Sequence, residues 1–345
     1  MIPSPDEQLA FLSKLQRLFA EGDFTATYKY ALLIAVSDLA VEVGRDDDSS
    51  LRLTHQSLAR KFVELYWQQT APYGSGRGKS AVLVQNVGEQ AAVVSAIVAF
   101  RTKNPSATVQ SAPAFLGFRE MVQKVAQTVS AQPVKYLQNL GGTTEPFLYR
   151  RERGAIVLKP GVVYCLRRFQ PLVQQLARSH WIGHIKDNKR NTPMLGHADD
   201  LESFLFETPR QALALIGCGL RRLSPRCFYC DIAVGSEADV DHFIPFVMYP
   251  RDLSHNFVLA HAKCNRSKSN TLAAHSHLQR WVEYTVKHDD DLKEIGATAG
   301  RVVDADTCRS VALWSYTNAA QVGAQAWFRA GSYEKVDQHY LDCLT

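Results

Sequence analysis

Apolar residues recur at helical spacing through the first third of the chain. Over residues 5–20, Leu9, Phe11, Leu12, Leu15, Leu18 and Phe19 fit one face of a helix. Residues 25–43 continue with Tyr28, Tyr30, Leu32, Leu33, Val36, Leu39 and Val41, and the acidic run Asp46-Asp47-Asp48 ends the pattern. Thr54 has the chemistry of an N-cap for a helix that runs to Trp67. Further helices are predicted over 89–101, 113–129 and 134–140, and a short strand over 81–87. After Gly141-Gly142 the pattern changes. Residues 147–151 and 155–159 read as a hairpin around Glu152-Arg153-Gly154, and 162–185 as one long helix. Residues 272–286 are expected to be helical, with His275 and His277 on the surface. Residues 302–328 read as one or two more helices, and Asp289-Asp290-Asp291 as a solvated helix end.

This order of elements gives an α+β fold that is mostly helical. We divide it into a helical N-terminal domain (1–140), a basic hairpin-and-helix connector (141–206), a module that carries the chemistry described below (207–285) and a helical C-terminal segment (286–345). Of the 345 residues, 46% are hydrophobic, enough for a sizeable core, which excludes general disorder. No apolar run approaches the ~18 residues of a spanning helix, so no membrane partner is expected. The N-terminus lacks a basic stretch followed by an apolar one, and the seven cysteines are odd in number. Both features point to a reducing compartment, and a cytoplasmic location is the expectation.

The net charge of +5 is mild, but it is unevenly placed. Between Arg150 and Arg190 ten basic residues face two acidic ones, a net +8. Arg150, Arg151, Arg153, Arg167 and Arg168 are the densest part, with Tyr149, Tyr164, Phe169 and Trp181 interleaved. Such a block is either a solvated helix face or a phosphate-contacting surface, because Arg and Lys supply most sequence-independent affinity for nucleic acid. The loop from Gly74 to Ser80 does not complete a phosphate-binding loop, since Tyr73 stands where that pattern needs glycine.

The chemistry concentrates between Cys227 and Lys268. Cys227 and Cys230 form a Cys-x2-Cys turn whose thiolates can reach one ion, and His261 and Cys264 repeat the x2 spacing. A Cys3His zinc site follows, with His255 as the alternative fourth ligand. Four protein ligands close the coordination sphere, so this zinc is structural. Cys165, Cys218, Cys308 and Cys343 have no partner at such spacing and are expected to be small buried residues. Asp241-His242 is the candidate for catalysis. Histidine has the right ordinary range for a general base, and aspartate is a hard oxygen ligand for Mg2+ or Mn2+. Adjacent strand residues point to opposite faces, so a bulge or twist is needed to bring the two to one site.

Asp241-His242-x-x-Pro245, then Asn256, then Cys264-Asn265-x-x-Lys268, resembles the HNH endonuclease family. The resemblance covers residues 227–270 and implies a ββα-metal unit. It implies His242 as general base, Asp241 and Asn265 as ligands of one Mg2+ or Mn2+, and Asn256 as the residue that fixes the loop and helps orient the histidine. Arg266 and Lys268 would contact phosphate, and Cys227, Cys230, His261 and Cys264 would hold Zn2+. Asn265 stands where other members carry histidine, and the second zinc pair is His-x2-Cys. The expected activity is metal-dependent hydrolysis of DNA, by nicking or double-strand cleavage, in a restriction or anti-phage setting. The N-terminal domain would engage a partner protein or regulatory subunit. RNA cleavage and non-catalytic nucleic-acid binding are the alternatives.

Overall fold

The computed structural model describes residues 2–47, 49–74, 80–195, 201–207, 210–235 and 238–344. The loop considered above as a phosphate-binding candidate lies for the most part outside the described residues, at 75–79. The chain divides into two compact units, Met1–Glu207 and Thr208–Thr345.

In the first unit, α1 (Pro5–Glu21) opens with a capping box: Ser4 accepts from the Glu7 amide and Glu7 accepts from the Ser4 amide. Helix α2 (Tyr28–Val43) is buried from Tyr28 to Glu42, so it is the central helix and carries no polar stripe. Its Asp38 carboxylate accepts from Gln170 and Gln174 at 3.3 and 2.7 Å. Thr54 caps α3 (His55–Trp67) by accepting from the Ser57 amide. Strand β1 (Arg52–Thr54) precedes that cap. Helix α4 (Ala92–Lys103) follows, and α5 (Phe118–Ala131) begins only after Gly117, whose φ of 88° suits glycine.

Strands β2 (Tyr149–Glu152) and β3 (Ala155–Leu158) form the expected hairpin, and β1 joins it in the order β1-β3-β2, all antiparallel. The expected long helix is two, α6 (Val162–Arg168) and α7 (Gln170–Asp187). Pro171 has no amide hydrogen to give the Arg167 carbonyl, and the helix breaks there. Residues 141–206 are therefore not a connector: β3 pairs with β1 and α7 hydrogen-bonds to α2, so they are part of the first unit. Residues 81–87 are also not a strand. Side-chain amides pin this segment instead: Asn191 accepts from the Val84 amide, and Gln90 accepts from the Gln85 amide.

The second unit contains α8 (Arg210–Leu223), β4 (Asp239–His242), β5 (Phe257–Ala260), α9 (Ala262–Lys268), α10 (His275–Lys287), α11 (Asp289–Thr298) and α12 (Ala305–Val322). Strands β4 and β5 pair antiparallel, Asp239 opposite Ala260 and His242 opposite Phe257. Ile216, Leu220, Phe257, Leu259 and Leu292 form a core on one side of that pair. The C-terminal segment is not wholly helical. Gly323 (φ 61°) ends α12, and β6 (Gln325–Arg329) and β7 (Ser332–Lys335) form a hairpin that turns at Gly331 (φ 73°). It is tied in where the Trp327 amide donates to Leu272 O at 2.7 Å and the Ala274 amide donates to Trp327 O at 2.8 Å.

His277 is buried against Tyr229 and Trp327 rather than on the surface, and its Nε2 lies 2.8 Å from the Phe328 carbonyl. Burial lowers its pKa. Cys165 and Cys308 are buried as expected, whereas Cys218 is exposed. Among the described residues, no helix is long and apolar enough to cross a membrane.

Candidate active site and metal centre

The Cys227–Cys230 turn comes to lie beside the start of α9. Asp231 adopts φ 55°, a left-handed conformation that aspartate tolerates better than most residues, and its amide donates to Cys227 O at 2.9 Å. The ligand atoms of Cys227, Cys230, His261 and Cys264 all lie within 4.8 Å of one another. A tetrahedral ion with Zn–S near 2.3 Å separates its ligands by about 3.8 Å, so the group fits zinc. His261 Nδ1 is 3.3 Å from Cys230 Sγ, and its Nε2 is 3.2 Å from the Ala233 carbonyl. The carbonyl holds the proton on Nε2 and leaves the Nδ1 lone pair for a metal. His255 is not the fourth ligand. It is 1% exposed, bonded to Ser254 Oγ at 3.1 Å and to Asp289 at 3.0 Å.

The thiols behave as a metal set. Burial pushes Cys227 up, but amides of Cys230, His261 and Tyr229 outweigh it and hold the thiol below its ordinary range. Burial and the neighbouring Cys227 and Cys230 sulfurs push Cys264 up to about 12. Three thiolates this close ionise together only around a cation.

Beside this centre, β4 and α9 share a charged face. Residues i and i+2 of a strand share one face, which places Asp239 with Asp241. Asn265 Nδ2 donates to Asp239 Oδ2 at 3.0 Å. Asp241 is buried, and its Oδ2 accepts from Tyr229 Oη at 2.5 Å and pairs with Lys268 Nζ at 3.1 Å. Lys268 Nζ also donates to the His242 carbonyl at 2.9 Å. Burial lowers the Lys268 pKa against the opposing pull of Asp241, and it raises Tyr229 together with the Asp241 charge.

His242 has different neighbours. Its ring packs on Phe257 and Phe246 at 4.8 and 5.3 Å, and its Nε2 is 2.6 Å from Asp252 Oδ1. The β4–β5 register runs without a shift, so the bulge that would join the Asp241 and His242 side chains is absent. Asn256 fixes the strand exit. Its Oδ1 accepts from the Ile244 amide at 2.7 Å, its Nδ2 donates to Ile244 O at 2.9 Å, and its own carbonyl accepts from the Phe243 amide at 2.7 Å.

Hairpin, loop and helix thus carry histidine, asparagine and asparagine around a Cys3His cluster, and residues 228–274 match the HNH endonuclease family. Residues 8–201, more than half of the chain, match a family described as a domain of unknown function, DUF8808. The chain belongs to the DUF8808 family and carries an HNH endonuclease module. No curated protein and no solved structure matches it.

Two expected phosphate contacts of this chain are structural instead. Lys268 of the HNH module has no exposure and ends α9, where it neutralises Asp241. Arg167 is 7% exposed, pairs with Asp46 at 2.6 and 3.0 Å, and donates to the carbonyls of Ala40, Val41 and Gly44. Arg266 is exposed on α9, as are Arg150, Arg151 and Arg153 on the first unit's hairpin; Arg168 is half-buried. Arg150 pairs with Glu152 at 3.1 Å.

The sequence reading passes over two residues of this module, Asp239 and Asp252. The i, i+2 alternation from Asp241 points to Asp239, but no spacing rule points to Asp252.

Proposed function

We propose that the chain is a metal-dependent endonuclease that hydrolyses phosphodiester bonds of DNA. The observation that carries this reading is the contact between His242 Nε2 and Asp252 Oδ1. A carboxylate there accepts the Nε2 proton and leaves Nδ1 as the lone pair that takes a proton from water. The resulting hydroxide attacks phosphorus, and the P–O bond to the leaving oxygen breaks in line with the attack.

Asp241 and Asn265 are the residues we assign to Mg2+ or Mn2+. Their chemistry fits a hard cation. Both contacts of Asp241 fall on Oδ2, and Asn265 commits its nitrogen to Asp239, which leaves its amide oxygen as the ligand atom. When bound, the cation would supply positive charge against the phosphate and the leaving oxygen, with the twist of β4, in place of a bulge, turning Asp241 and His242 toward the one phosphate. Asn256 is a positioning residue that holds the backbone after His242. Zinc at the Cys3His centre braces the module and leaves no open position for water. Arg266, Arg150, Arg151, Arg153 and Arg168 are the phosphate contacts we retain.

A nuclease module joined to a separate family domain suits a regulated effector. We place it in cytoplasmic restriction or anti-phage defence, with a partner protein engaging the N-terminal domain. The purified chain should convert supercoiled plasmid to nicked or linear form with Mg2+ or Mn2+, and EDTA should abolish this. Cleavage of RNA in place of plasmid would reassign the substrate. Binding without cleavage of either would make the module a non-catalytic binder.

A further inference from the structure

The first unit holds a cavity of about 840 Å3 that the nuclease chemistry does not use. Its volume lies within the ~300–1,000 Å3 of small-molecule sites. Tyr28 and Lys29 of α2 line it, with Gln90, Gln127, Gln132 and Tyr136.

Lys29 is the informative residue. Among the described residues, three lysines are buried: Lys29, Lys61 and Lys268. Lys61 meets Glu42 at 2.7 Å, and Lys268 meets Asp241 at 3.1 Å. Lys29 is 8% exposed and lines the cavity, yet among the described residues it has no hydrogen bond and no ion pair. Its ammonium lies over the face of Phe24, 5.3 Å from Nζ to the ring centre. Burial lowers its pKa, with the charge of Asp23 opposing. Asp23 and Glu89, the acidic residues of the lining, are both exposed, so they belong to the rim. The Lys29 stem is buried, but its ammonium has no hydrogen bond or ion pair among the described residues, so a counter-charge that enters the cavity meets a free cation.

We infer that this cavity binds a small organic anion, a carboxylate or a phosphate, with Lys29 as its charge partner. The inference stands apart from the nuclease reading, because neither the ligand nor the test involves cleavage.

The test uses the full chain. Small molecules released by denaturing freshly purified protein are analysed by mass spectrometry. Melting is then followed with AMP, glutamate and their neutral counterparts adenosine and glutamine. We expect a released anion, or a rise in Tm of about 3 °C or more with AMP or glutamate but not with the neutral compound. The anion that acts tells phosphate from carboxylate. Lys29→Met should abolish the response to the anion, and Lys29→Arg should keep it. No released anion together with no shift from AMP or glutamate overturns the inference. So does a shift that survives Lys29→Met.

Discussion

The His242 imidazole and the Asp252 carboxylate lie 2.6 Å apart, the carboxylate side chain only 10% exposed. The pair fixes which ring nitrogen keeps its proton, and so which one is left to act. Asp252→Asn preserves the volume but offers an amide in place of the carboxylate. Its kcat for plasmid cleavage should fall about 10–100-fold or more, with zinc content unchanged. Single-turnover rates at saturating DNA check this, and an unchanged rate would remove Asp252 from the account.

The Cys3His centre should behave as a folding element. Cys227→Ser, or prolonged chelation of the wild type, should remove zinc and lower the stability of the second unit together. His255→Gln should keep its zinc, because His255 is held by Ser254 and Asp289 instead. Metal analysis alongside thermal melting separates the two variants.

Lys268 supplies charge to a buried carboxylate, and its loss is a stability effect first. Lys268→Ala leaves Asp241 without a cation partner and should cost about 3–5 kcal/mol of unfolding free energy. Denaturant titration reads this directly. A variant as stable as wild type that cleaves poorly would return Lys268 to phosphate binding.

The arginines of the hairpin should separate from Arg167. Replacing Arg150, Arg151 and Arg153 together by alanine should leave Tm nearly unchanged, because all three are exposed. It should weaken DNA binding and lower the slope of log K against log salt by about 3. Arg167→Ala should instead lower Tm, since it takes the partner from Asp46 and from the Val41 and Gly44 carbonyls. Binding isotherms from low to moderate salt, run beside melting curves, test both halves.

Much of the site was legible because its signals are local. The x2 spacings at Cys227–Cys230 and His261–Cys264, and the Asp-His pair at the end of a strand, sit within a short window that folds on itself as hairpin and helix. Caps such as Thr54 were legible for the same reason. What escaped depends on distant partners. Strand β1 is three residues long, and only its pairing with β3, about 100 positions later, makes it a strand. Strand β6 falls within the stretch 302–328 that reads as helix, because Trp327 and Phe328 fit either period. Arg167 and Lys268 carried the composition of phosphate ligands, and their burial beside Asp46 and Asp241 is set by packing that no pattern of neighbours encodes. Asp252 became a partner of His242 only when the loop closed.

Supercoiled plasmid with Mg2+, incubated with wild type and with His242→Ala, tests the central claim most directly. The account predicts cleavage by wild type and none by His242→Ala, while zinc content and melting temperature stay near those of wild type. Cleavage retained by His242→Ala would contradict it.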